Sequence, residues 1–172
     1  VLITYGGGSI KKNGVFEQVQ TALDGITYFE FGGIEPNPHF ETLMKAVDLI
    51  KQENINYILA VGGGSVIDGS KFIAAAALYP NEPWEIIQTY GAKVTAALPL
   101  GCVLTLAATG SEMNSGGVVN HSERHAKLAF GNPAAFPQFS ILDPAKTLTL
   151  PERQVMNGIA DAFVHVMEQY LT

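Results

Sequence analysis

The chain has 172 residues, 47% of them hydrophobic and 15% charged. That composition excludes a disordered chain and suits one sizeable core rather than two complete domains. The net charge of −6 leaves no basic footprint for nucleic acid, and no apolar run is long enough to span a bilayer.

In chain order, Val1–Tyr5 reads as a strand that runs into Gly6-Gly7-Gly8-Ser9. Val15, Phe16, Val19 and Leu23 then recur at helical spacing. Ile26–Phe31 is a second strand, followed by a Gly- and Pro-rich loop over 32–38 and a helix carrying Phe40, Leu43, Met44, Val47 and Ile50. Tyr57–Val61 is a third strand and meets a second glycine turn, Gly62-Gly63-Gly64-Ser65. The Ala-rich stretch Ser70–Leu78 reads as a helix that stops before Pro80. Beyond it come strand-like pieces at Thr95–Pro99, Gly117–Asn120, Lys127–Phe130 and Phe139–Leu142, separated by turn residues. A last helix over Pro151–Thr172 places Pro151 near its first turn.

This alternation predicts an α/β fold: a Rossmann-like parallel sheet with helices on both faces and all strand C-termini along one edge. The division expected is an α/β unit over 1–150 and a separate helix over 151–172. The chain opens directly on an apolar strand, with no basic leader or cleavage site, and closes inside a helical pattern. Both ends read as those of a piece cut from a longer chain. The single Cys102 lies in apolar surroundings, which suits a buried structural thiol and a reducing cytoplasm.

Ligands of such sheets bind where strands end and helices begin. Gly62, Gly63, Gly64 and Ser65 sit at such a junction, where backbone N–H groups favour an anion. Ile67 occupies the third glycine position of G-x-G-x-x-G, so the motif alone is moderately specific, and a tight turn without a ligand is the competing reading. At the first turn no Asp or Glu occurs between Val1 and Gly14 to hold a ribose 2′-hydroxyl. A 2′-phosphate would instead find Gly7, Gly8, Ser9 and one of Lys11 and Lys12, which favours NADP(H) over NAD. Thr105 and Thr109, in a turn running to Glu112, offer hydroxyls to phosphate or ribose; Thr109 and Ser111 also suit a helix cap. Asp161 and His165 lie i, i+4 on one helix face, within reach of one ion or of each other. His121 and His125 read as solvated residues of a hairpin turn, and His39 has no evident partner.

Taken as a set, Ile3–Ser9, Gly33–Pro38, Ala60–Lys71, Thr105–Glu112, Leu142–Pro144 and Gly158–Glu168 resemble the iron-containing (group III) alcohol dehydrogenases, above all their bacterial NADPH-dependent aldehyde reductase and butanol dehydrogenase branch. The resemblance implies the N-terminal part of a dehydroquinate synthase-like fold, with a C-terminal helical domain and its two further histidine ligands missing. It implies that Gly62–Ser65 hold a pyrophosphate and that Gly7, Gly8 and Ser9 surround a 2′-phosphate. It places Asp68 near the nicotinamide ribose, as the candidate catalytic residue, and Thr105 and Thr109 along the dinucleotide cleft. Lys127 would touch the ribose near the nicotinamide, with Asn114 and Thr149 as further cofactor contacts. Asp161 and His165 match two ligands of a divalent metal, Fe2+ or Zn2+. A small aldehyde or primary alcohol as substrate and a homodimer are implied as well, with no nucleic-acid or membrane partner. A non-catalytic dinucleotide-binding module, an NAD-dependent polyol dehydrogenase and a dehydroquinate synthase-like lyase are the alternatives on this scaffold.

Overall fold

The computed structural model describes residues 1–171, so Thr172, the last position of the expected terminal helix, lies outside the described residues. Five strands, β1 (Leu2–Thr4), β2 (Phe29–Phe31), β3 (Ile58–Gly63), β4 (Leu100–Leu106) and β7 (Phe139–Leu142), form a parallel sheet in the order β2-β1-β3-β4-β7. An antiparallel hairpin, β5 (Gly116–His121) with β6 (Ala126–Gly131), stands apart from it. The helices are α1 (Ser9–Lys12), α2 (Val15–Ala22), α3 (Phe40–Glu53), α4 (Gly64–Leu78), α5 (Trp84–Gln88) and α6 (Glu152–Leu171).

Strand alternation explains the two cores. Ile58 and Ala60 of β3 point to one face, where they meet α3 and α4 residues such as Leu43, Val47, Ile67 and Phe72. Leu59 and Val61 point to the other, where Ile10, Val15, Phe16 and Val19 cover them. The second core ends near β4: Phe139 and Ile141 of β7 remain exposed. No helix among the described residues is long and apolar enough to cross a membrane.

From β1 the chain moves outward to β2, then crosses back to place β3 on the other side of β1. The C-terminal ends of β1 and β3 therefore flank the point where the winding reverses, which is where open α/β sheets bind ligands. Both glycine segments end there, as the alternation of elements predicts.

Several elements differ from expectation, among them the second strand, which is confined to Phe29–Phe31. The strand expected at Thr95–Pro99 is irregular; the strand begins at Leu100. Pro99 has no N–H for a central ladder, and its carbonyl only accepts from Ile58 N–H, at 3.1 Å. Thr105 thus belongs to β4 rather than to the turn. The helix expected from Ser70 starts at Gly64, so Gly62 and Gly63 finish β3 and Gly64 and Ser65 open α4 with no free loop between. Helix α5, which buries Trp84, has no counterpart in the expected elements.

Candidate functional site

At the end of β1 the chain turns through Gly8, whose φ of 90° is left-handed, and a Cβ on Gly7 or Gly8 would meet nothing within 4 Å. This turn is therefore open. It is zipped to the end of β2 by Gly33 N–H, which donates to Gly6 O at 3.0 Å, and by Ile34 N–H, which donates to Tyr5 O at 3.2 Å. Ser9 begins α1 and is exposed. Lys11 is not a free cation: its Nζ donates to Glu30 at 2.7 Å, and Tyr5 OH donates to the same Glu30 oxygen at 3.0 Å. Glu30 lies on β2, beside Ile3, so the sheet brings an acid to a turn whose own sequence has none. The Lys11 ammonium beside it holds the Glu30 carboxyl below the usual carboxylate range.

The other side of the crevice is tight. A Cβ on Gly62 would strike the Val66 side chain at 2.6 Å, and one on Gly63 would come within 3.3 Å of Leu106. A Cβ on Gly64 would sit 2.4 Å from Thr109 Oγ1, so glycine there brings the Thr-rich turn against the start of α4. No side chain caps α4, which leaves its first-turn N–H groups without a side-chain acceptor. Ser65 Oγ accepts from Asn37 N–H at 3.2 Å. Asn37 is in the left-handed region, with φ 58°, and its side-chain oxygen accepts from Lys127 Nζ at 2.7 Å. Lys127 is thereby held near Ser65 by a residue ninety positions earlier.

Thr105 is the residue that the β3–β4 register skips, since Gly62 pairs with Leu104 and Gly63 with Leu106. Such irregularities re-aim side chains at strand ends. Thr109, Ser111, Asp68, Asn114 and Gly116 line a single cavity of about 460 Å³ beneath the hairpin. Asp68 accepts from Ser111 Oγ at 2.7 Å and from Val118 N–H at 3.1 Å, so both its oxygens already have protein donors. Gly117 makes this possible, because a Cβ there would lie 3.2 Å from the Asp68 carbonyl oxygen. Burial pushes the Asp68 carboxyl up; the Ser111 and Val118 donors and the Lys71 charge oppose that.

Lys71 is the largest polar surprise of the site. It is 0% exposed and lies one turn along α4 from Asp68. Its Nζ donates to Asn114 Oδ1 at 2.8 Å and to Gly116 O at 2.7 Å, and burial pulls its pKa down. Asn114 is thus bound within the protein by Lys71, while its Nδ2 donates to Gly110 O at 3.0 Å. Sequence reasoning gave Lys71 no partner and Ser111 only a capping role, because Lys71 and Asn114, like Asp68 and Ser111, lie more than forty residues apart.

The other expected residues lie apart. Thr149 donates to Lys146 O at 3.3 Å within its own 3-10 turn. Asp161 Oδ2 and His165 Nε2 are 3.5 Å apart on α6, as the spacing predicts, and the two side chains are 54% and 61% exposed. His165 Nδ1 also lies 3.8 Å from Glu168. Among the described residues no group of three or more metal-type donors converges. An oxygen and a nitrogen donor aimed together fit part of the shell of a zinc or iron ion.

Two histidine expectations need correction. His121 is not solvated: it is 7% exposed, stacks on Phe40 with ring centroids 4.9 Å apart, and meets Trp84 edge-on. It ends β5 before the turn, and α3 and α5 cover it. His125, within the turn, is exposed as expected. His39 does have a partner, with Nδ1 2.7 Å from Ser122 Oγ. Cys102 is buried as expected, and burial pushes its thiol up to about 11.

The family model described as iron-containing alcohol dehydrogenase matches residues 1–144. The chain is 58% identical over 174 residues to the NADPH-dependent aldehyde reductase YqhD of Escherichia coli (strain K12), covering 100% of this chain and 45% of the relative. It is 51% identical over 172 residues to the probable NADH-dependent butanol dehydrogenase 1 of Bacillus subtilis (strain 168), covering 99% of this chain and 44% of the relative. A crystal structure of E. coli K-12 YqhD superposes with a TM-score of 0.94 at 58% identity, over 99% of this chain and 44% of that one. The chain therefore spans about half the length of the curated relatives it matches.

Proposed function

Because the chain belongs to the iron-containing alcohol dehydrogenase family, we propose that it is the nucleotide-binding part of a metal-dependent aldehyde reductase or alcohol dehydrogenase that uses NADPH. The observation that carries this reading is the convergence of Gly6–Ser9 and Gly62–Ser65 on the crevice between β1 and β3. The uncapped start of α4, at Gly64 and Ser65, receives the pyrophosphate on backbone N–H groups. Gly7, Gly8 and Ser9 receive the adenosine end, Thr105 and Thr109 line the cleft, Lys127 touches the ribose near the nicotinamide, and Asn114 is a further contact. Asp68, on α4, lies near the nicotinamide ribose, and Thr149 is a further cofactor contact.

The preference for NADPH is supported by the open turn at Gly7 and Gly8 and by Lys11, which offsets the charge of Glu30. The named relatives are divided, one NADPH-dependent and one NADH-dependent. Asp161 and His165 hold a divalent metal, Fe2+ or Zn2+, together with donors from elsewhere in the protein. When bound, the dinucleotide supplies the hydride and the metal polarises the substrate oxygen. The chain's own residues bind, orient and shield: the glycine segments fix the dinucleotide, and the hairpin walls the cavity over α4. Residues 1–150 form the nucleotide-binding unit and α6 begins the metal-binding one. The substrate is a small aldehyde or primary alcohol, the assembly a homodimer and the compartment the cytoplasm, as the buried thiol of Cys102 suits.

The test is consumption of NADPH by the full-length protein with butyraldehyde, before and after treatment with a chelator and re-addition of zinc or ferrous ion. Activity that falls with the chelator, returns with metal and is abolished in Asp161→Ala and His165→Ala supports the reading. Unimpaired turnover by both variants would refute the metal assignment, and absence of cofactor oxidation with metal present would refute the reaction.

A further inference from the structure

The Thr109 hydroxyl lies against the glycine that opens α4, and its direction is set from behind. Ser111 Oγ is 2.7 Å from Asp68 Oδ1 and 2.7 Å from Thr109 Oγ1. An ionised carboxylate only accepts hydrogen bonds, so the Ser111 proton goes to Asp68. The second contact must then take its proton from Thr109. Ser111 N–H also approaches Thr109 Oγ1, at 3.4 Å. Thr109 is left with no proton for the cleft and with a lone pair to offer it. Ser111 is 3% exposed and its Oγ is engaged by both Asp68 and Thr109, so it acts on a ligand through its neighbour. Asp68 has a donor on each oxygen, Ser111 Oγ on Oδ1 and Val118 N–H on Oδ2, and these donors, with the Lys71 charge, oppose the burial that raises the carboxyl.

Resting on the dinucleotide reading above, we propose that Ser111 is a positioning residue that makes Thr109 a hydrogen-bond acceptor, matched to a donor on the nicotinamide-riboside half of the cofactor and not to a phosphate. Phosphate oxygens have no proton to give, whereas a ribose hydroxyl and the carboxamide NH2 do. The negative charge of Asp68 behind the two hydroxyls favours the same choice.

The experiment measures binding to the full-length protein of the preferred cofactor, NADPH or NADH, and of its isolated adenosine half, 2′,5′-ADP or ADP. Ser111→Ala and Thr109→Val are each expected to weaken the whole cofactor about fivefold, the scale of one hydrogen bond, and to leave the adenosine half within about twofold. Thr109→Ser, which keeps the hydroxyl, is expected to bind as the wild type does. A 3-acetylpyridine analogue, which lacks the carboxamide NH2, locates the donor. If Thr109→Val costs the analogue nothing, the donor is the carboxamide. If it costs the analogue the same factor, the donor is a ribose hydroxyl. Equal losses for the whole cofactor and its adenosine half would mean a general distortion and overturn the proposal, as would variants that bind the whole cofactor like the wild type. If the wild type binds neither cofactor nor adenosine half, the dinucleotide reading itself fails and takes this inference with it.

Discussion

Helices α4 and α6 are both rich in apolar residues, yet ten of the fifteen residues of α4 are buried and none of the twenty of α6 is. The difference lies in what covers each helix. Gly69 lets α4 approach α3, where a Cβ would strike Leu43 at 2.8 Å, and the Ala74–Ala76 run fits close under the sheet. A helix apolar all round is a buried one. Helix α6 also carries large side chains, Ile159, Phe163 and Val166 among them, but no described element covers these. The glycine crevice therefore stands on a packed base, while Asp161 and His165 stand on a helix whose apolar side chains face solvent.

Five substitutions test that contrast. The largest effect is expected from Lys71→Met, which leaves Asn114 Oδ1 and Gly116 O without their donor and Asp68 without its buried counter-charge. Urea denaturation should show a loss of about 3–5 kcal/mol; a stability equal to wild type would mean that the network is dispensable. Next, Gly64→Val forces a side chain onto Thr109. A loss of about 1–3 kcal/mol in stability should accompany at least a tenfold loss of NADPH affinity by fluorescence titration.

A smaller effect concerns pH. The Asp68 carboxyl is raised from 3.8, so its share of stability is full below that value and is lost as pH rises through the folded-state value. The stability of wild type relative to Asp68→Asn should therefore fall as pH rises from about 4 toward neutrality. A difference that grows with pH would contradict the sign. Lys71, lowered from 10.5, has the opposite sense, with its share full above 10.5 and lost as pH falls through the folded-state value. The smallest effect is expected on α6. Phe163→Ala and Val166→Ala, at 66% and 67% exposure, should change the stability of this chain by less than about 0.5 kcal/mol.

The sequence announced what local pattern controls. Period-two and helical spacing, punctuated by Gly and Pro, marked β1, β3, β7, α3, the hairpin and α6. The parallel order followed from the alternation of elements, and with it the meeting of the two glycine segments. What stayed hidden depends on partners far along the chain. Glu30 reaches Lys11 only because β2 lies beside β1. His121 looks like a turn residue until α3 and α5 bring Phe40 and Trp84 onto it. The start of β4 is not legible in the sequence because Ala96–Leu98 and Leu100–Leu104 are both apolar runs, with only Pro99 between them.

On the proposed function, the crevice between β1 and β3 holds a nicotinamide dinucleotide without help from the metal side. The most direct measurement is an equilibrium titration of this chain with NADPH in the presence of a chelator, for wild type and Gly64→Val. Saturable binding that ignores the chelator and is lost in Gly64→Val is the predicted result. A wild-type chain that is folded by circular dichroism yet shows no saturable NADPH binding, or a Gly64→Val chain that binds equally well, would contradict it.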